Sequence, residues 1–205
     1  MFNRYKKCRL CQQVGTLIIV LFILLALYLS TQLLPGWIEG SNKNKNSFSI
    51  QQATSVLEDY EFYVNATLEM DFTPAVIEAL ANGVPLNIII ELKVNQKNQW
   101  FDKLIKESML KFELRYHALT DIYSIKNKAS EKEYHFNSRE EAMELLGNIS
   151  HAHLISLQKL DQSKHHQVSL RVFLDIWQLP DVLRPVASLS KDWQLRSNWF
   201  NWMLN

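Results

Sequence analysis

Residues 60–72 read YEFYVNATLEMDF, and their alternation decides the fold class. Tyr60, Phe62, Val64, Ala66, Leu68, Met70 and Phe72 share one parity, while Glu61, Asn65, Thr67, Glu69 and Asp71 share the other. Successive side chains of a strand point to opposite faces, so one face of this stretch belongs in a core and the other in water. The pattern recurs in Leu86, Ile88, Ile90, Leu92 and Val94, in Leu110, Phe112, Leu114 and Tyr116, and in Val168, Leu170, Val172, Leu174 and Ile176. Strands with one wet face belong to antiparallel sheets, since parallel sheets are covered on both sides. Further strands are expected around Phe48–Leu57, Asp121–Lys126 and Asp192–Trp202.

Two short helices interrupt the strands. Thr73-Pro74 supplies an N-cap and a first-turn proline, the residues from Ala75 to Asn82 suit a helix, and Gly83 is a C-terminal stop. Ser138-Arg139-Glu140-Glu141 is a capping box that opens a second helix ending at Gly147. Residues 48–205 therefore read as one mainly β domain, an antiparallel β-sandwich with two short helical excursions.

What precedes that domain reads as a membrane anchor. No residue from Leu10 to Ile38 is charged, and Leu17 to Leu29 is almost entirely Leu, Ile, Val and Phe. A helix over residues 14–34 spans about 31 Å, close to the hydrocarbon thickness of a bilayer. Pro35-Gly36 ends it, and Trp37 suits the interface. A cleaved signal peptide has a shorter apolar region followed by small residues, and Leu27-Tyr28-Leu29-Ser30-Thr31 offers no such site. Arg4, Lys6, Lys7 and Arg9, with no acid among them, place residues 1–13 in the cytoplasm and the domain on the far side. Residues 35–47 form a polar linker that keeps the domain near the membrane, its EGSNKNKNS part having a typical span of about 17 Å.

The composition narrows function by exclusion. A net charge of +1 without a basic face speaks against nucleic acid. The five glycines form no phosphate-cradling loop, and no nucleophile elbow is present, so no cofactor and no enzymatic activity are expected. Both cysteines, Cys8 and Cys11, lie in the N-terminal tail; a C-x-x-C pair without a second pair is incidental or shares a metal across a dimer. His151 and His153 share a strand face and are weak candidates for a metal, with His165-His166 brought close by a hairpin; solvated histidines are the plainer reading. The aromatic C-terminus, with Trp193, Trp199 and Trp202, allows three readings: a core-closing strand, a partner-binding edge, or a belt at lipid headgroups. Trp199 and Trp202 are three apart, so an extended strand sends them to opposite faces.

Certain stretches resemble a known family. They are Met70-Asp71-Phe72-Thr73-Pro74 with Glu78 to Leu86, Leu114-Arg115-Tyr116-His117-Ala118-Leu119-Thr120, Leu174-Asp175-Ile176-Trp177-Gln178-Leu179-Pro180, and Ser190 to Leu195 with Trp199. In this order they are similar to the proteobacterial "domain of unknown function 4390" family of membrane-anchored proteins. The resemblance implies the bacterial inner membrane with the domain in the periplasm, and a partner in that membrane such as a sensor kinase. It implies no catalytic residues. The expected function is thus a non-enzymatic, membrane-anchored domain that binds an envelope protein through Trp193, Trp199 and Trp202. The alternative is binding of a lipid or other envelope ligand in the cleft of the sandwich.

Overall fold

The structure, a computed structural model, describes residues 48–204. The expected tail, span and linker, with Cys8 and Cys11, lie outside the described residues. Among those described, no helix is long and apolar enough to cross a membrane.

Among the described residues, nine strands form two antiparallel sheets. The smaller contains β1 (Phe48–Glu58), β2 (Glu61–Met70) and β7 (Asn148–Ser156) in the order β1-β2-β7. The larger contains β3 (Leu86–Gln96), β4 (Lys103–His117), β5 (Ile122–Asn127), β6 (Glu133–Phe136), β8 (His166–Leu174) and β9 (Phe200–Met203), in the order β6-β5-β4-β3-β8-β9.

The parity read from residues 60–72 holds from Phe62 onward: Phe62, Val64, Ala66, Leu68 and Met70 are all at most 9 % exposed. It fails at Tyr60, which is 71 % exposed. Asp59 and Tyr60 take φ of 48° and 65° as the two turn residues between Glu58 and Glu61. Positive φ at both positions is the type I′ form of the two-residue hairpin, whose twist matches that of the strands, so turn geometry overrides the alternation there. Leu86, Ile88, Ile90, Val168, Leu170 and Val172 fill the facing side of the larger sheet and are completely buried. Each such side chain contributes about 1.5–3 kcal/mol relative to exposure, so these rows hold the sheets together.

Both expected helices form. Helix α1 (Pro74–Ala81) is capped by Thr73, whose hydroxyl accepts from Val76 N at 3.4 Å. Gly83 leaves it at φ +80°, a conformation only glycine adopts without strain. Helix α2 (Arg139–Gly147) starts on Ser138 Oγ, which accepts from Glu141 N at 3.2 Å. Its last residue, Gly147, sits where a Cβ would come 2.9 Å from the Leu68 carbonyl oxygen, so the helix end seats directly on β2.

The C-terminal third departs from expectation. Residues 192–202 are not one strand; only Phe200–Met203 forms β9, with a single bridge between Arg196 and Phe173. Ser190 Oγ accepts from Asp192 N at 3.2 Å and closes a 3-10 turn over Lys191–Trp193. Ser197 Oγ then takes the Val172 amide at 3.0 Å, so a side chain replaces a ladder bond. A third helix, α3 (Arg184–Leu189), forms as well, and Ile176 lies in a 3-10 turn beyond the end of β8. Strand β7, expected only as the strand face that carries His151 and His153, lacks a readable alternation because its register with β2 shifts twice, which puts Leu154 and Ile155 both in the core.

Candidate functional site: the outer face of the larger sheet

On the side of the larger sheet away from the core, β3 presents Ile89, Glu91, Lys93 and Asn95, and β8 sets Phe173, Arg171, Ser169 and Gln167 directly opposite them. Asn201 of β9 pairs with Ser169 and accepts its hydroxyl at 2.6 Å. On the other flank, Met109 and Glu107 of β4 pair with Glu91 and Lys93. This face is polar by parity, but it is not simply wet.

Glu91 sits at its centre, and its side chain is only 4 % exposed. Arg171 donates to one carboxylate oxygen at 2.5 Å, and Lys93 reaches the other at 2.8 Å while also contacting Glu107 at 3.3 Å. Burial by itself would push the Glu91 carboxyl up, but the hydrogen bonds from Lys93 and Arg171 outweigh it and hold the group below the usual glutamate range. The same bonds raise Lys93 above the ordinary lysine value. The network is therefore a fixed row of charges across three strands.

Trp199 lies over that row. Its ring centroid is 4.4 Å from the Arg171 guanidinium carbon and 5.1 Å from Lys93 Nζ, both within cation–π range. The indole is half-buried. Beside it an open depression of about 420 Å³ is lined by Asn95, Asp102, Gln167, Ser169 and Asn201, together with Lys93. Carboxamides and a hydroxyl next to a ring held by two cations make a surface with many directed donors and acceptors. Arg171 Nε has no hydrogen-bond partner among the described residues.

The other sequence candidates go elsewhere. Trp193 is 6 % exposed, packed in the core on the 3-10 turn that sits against α1 and α3, so it is not a surface anchor. Thr73 Oγ1 donates to the Asp192 carbonyl oxygen at 2.8 Å and pins that turn to the start of α1. Trp202 faces inward opposite Val168, packs against the core, and donates from Nε1 to Ser55 Oγ of β1 at 3.2 Å. Trp199 and Trp202 thus do take opposite faces of the sheet.

His151 and His153 are brought together, but around a tyrosine. The Tyr63 ring stacks on His151 at 3.8 Å and meets His153 edge-on at 5.8 Å. His153 Nε2 bonds Glu61 at 2.8 Å. His165-His166 does not join them, because β7 pairs with β2 in one sheet whereas β8 pairs with β3 in the other. Among the described residues no group of three His, Cys, Asp or Glu side chains is placed to hold a metal ion.

Sequence reasoning singled out Trp199 but missed Glu91, Lys93 and Arg171. Their outward parity was readable. Their meeting depends on the register between β3 and β8, strands about 70–80 residues apart in the chain, and no local signal encodes it.

These features define a class: a two-sheet antiparallel β domain with three short helices and a charge-backed tryptophan on the outer face of its larger sheet. The chain belongs to the family described as Domain of unknown function (DUF4390), whose model matches residues 45–203. No curated protein and no solved structure matches it.

Proposed function

We propose that the chain is a membrane-anchored, non-enzymatic binding protein of the bacterial inner membrane. Its periplasmic β domain holds a protein partner on the outer face of the larger sheet, with Trp199 as the anchor. The family resemblance makes a membrane sensor kinase the partner class of choice.

One observation carries the reading: a half-buried tryptophan lies over Arg171 and Lys93, which are themselves tied to the buried Glu91. Tryptophan and arginine dominate the energetic centres of protein interfaces. Here both are ordered before any partner arrives, so less side-chain entropy is lost on association. The exposed Met109 and Met203 extend the same face with adaptable apolar contacts.

The test places a photo-crosslinking residue at Asn201 in the full-length chain and irradiates intact membranes. A discrete protein adduct is expected that disappears in Trp199→Leu and persists in Trp177→Leu. Trp177 is the control because it is 67 % exposed and lies on the 3-10 turn beyond the end of β8, without a cation–π contact to Arg171 or Lys93. An adduct that survives Trp199→Leu, or adducts to lipid alone, refutes the reading.

A further inference from the structure

The inner row of β4 reads Leu114, Phe112, Leu110, Ser108 and Lys106, opposite Leu86, Ile88, Ile90, Leu92 and Val94 of β3. Four of these positions carry side chains suited to a sandwich interior, or nearly so. The fifth is a lysine. At Lys106 the space between the sheets opens, and a groove of about 510 Å³ runs between the start of β4 and the end of β7. Its lining is Lys103, Lys106 and Lys159 together with Leu104, Ile105 and Ile155.

No carboxylate lines this groove, and none of its three lysines forms an ion pair among the described residues. An inward lysine ordinarily snorkels to solvent or to an acid. Lys106 instead donates to the Leu154 carbonyl oxygen at 2.5 Å, which engages one of its three donors. Burial pushes its ammonium below the ordinary lysine value, and the charge of Lys159 adds to the effect. Glu61 offsets part of this, but its carboxylate is engaged by His153 at 2.8 Å. Next along the same row, the buried Ser108 hydroxyl has no hydrogen-bond partner among the described residues. Positive charge is thus concentrated beside apolar side chains with no carboxylate in the lining; Lys103 and Lys159 are exposed, and the partly desolvated charge of Lys106 is unfavourable until an anion meets it.

We propose that this groove binds a phosphate-bearing amphiphile, with the lysines holding the phosphate and Leu104, Ile105 and Ile155 receiving the start of its apolar chain. Lysine binds phosphate as a mobile point charge, so three of them around one anion need no rigid geometry. The volume lies within the usual range for small-ligand sites, about 300–1,000 Å³, and suits a headgroup with the first part of a chain. Leu104 is 49 % exposed at the rim, and Trp100 and Phe101, 83 % and 85 % exposed, stand on the adjoining hairpin tip, where a longer chain would continue. The site is separate from the Trp199 face, so either assignment can stand without the other.

The experiment uses the full-length chain in phosphatidylcholine nanodiscs with a lysophosphatidylglycerol whose acyl chain carries a photoreactive diazirine. Labelling is expected in the peptides that contain Lys103 to Lys106 or Ile155 to Lys159. Lys106→Met and Lys159→Gln should each reduce it by about tenfold or more, the range for losing one charged hydrogen bond. Lys159 is exposed on a 3-10 turn, so its variant tests the idea even if Lys106→Met fails to fold. Unlabelled lysophosphatidylglycerol should compete well, lysophosphatidylcholine poorly, and inorganic phosphate only at far higher concentration. Equal competition by the choline lipid reduces the groove to an apolar surface, and equal competition by inorganic phosphate reduces it to a headgroup site. Either result overturns the proposal, as does wild-type labelling of the lysine variants.

Discussion

Replacing Arg171 with Met tests whether the outer face is held by charge or merely decorated with it. The substitution keeps most of the side-chain stem over Phe173 and Trp199 but removes the guanidinium that bonds Glu91 at 2.5 Å. Breaking a fully buried ion pair by removing one partner costs about 3–5 kcal/mol. Glu91 keeps Lys93 at 2.8 Å, so the loss should fall below that range. One charge-assisted hydrogen bond is worth about 1.5–3 kcal/mol and an exposed cation–π contact about 0.5–1 kcal/mol. The expected destabilisation is therefore about 2 kcal/mol at neutral pH, read as a lower urea midpoint with an unchanged slope in a fragment beginning at Ser47.

The pH dependence gives a second reading. Glu91 is held below its unfolded value, so its contribution is fully present above the unfolded value and is lost as pH falls through the folded one. Once protonated, Glu91 no longer needs Arg171. The gap between Arg171→Met and wild type should then narrow as the pH falls below the ordinary glutamate range. Replacing both partners, Glu91→Leu with Arg171→Met, should recover more than half of the loss, because an apolar pair leaves no charge stranded. A single-variant loss below about 0.5 kcal/mol, or a gap that does not change with pH, would mean that Glu91 is solvated and that the fixed row of charges does not exist.

Trp193→Ala should cost about 3–5 kcal/mol by opening a cavity where α1, α3 and the C-terminal 3-10 turn meet, measured by thermal unfolding; a loss below about 1 kcal/mol would place that indole on the surface. A fragment beginning at Ser47 should fold alone and give a mainly β circular-dichroism spectrum, identical with and without reductant because it contains no cysteine; a mainly helical spectrum would overturn the fold. A reporter active only in the periplasm, fused after Asn205, should be active, and neutralising Arg4, Lys6, Lys7 and Arg9 should weaken that orientation; activity of a cytoplasm-only reporter at the same point would reverse the topology.

Alternation alone was enough to assign β2, β3 and β8. Each turns one parity of mainly apolar residues fully into the core and carries mainly polar residues on the other, so a period of two survives in the sequence. The caps were equally local: Thr73 and Ser138 act on amides three residues ahead, and Gly83 on its own φ. Opposite faces for Trp199 and Trp202 followed from the same parity.

What the chain hid was whatever depends on a distant partner. β7 bends around Asn65, whose side chain takes the His151 amide at 2.8 Å while His151 adopts φ 54°, and two register shifts scramble its pattern. The tail around Ser197 meets β8 through the backbone bonds Ser197 N to Val172 O and Leu174 N to Leu195 O, while the Val172 amide goes to the Ser197 side chain, so the pairing stops at a single bridge. Cation contact with Trp199 required β3, β8 and the C-terminal segment to meet in one register, and the lysine groove required β4 to pass the end of β7. Side-chain parity is a property of each strand by itself, and sequence therefore determined which face each residue takes. Which residues on a shared face touch is set by pairing and packing between strands far apart in the chain, and only the tertiary structure decided that.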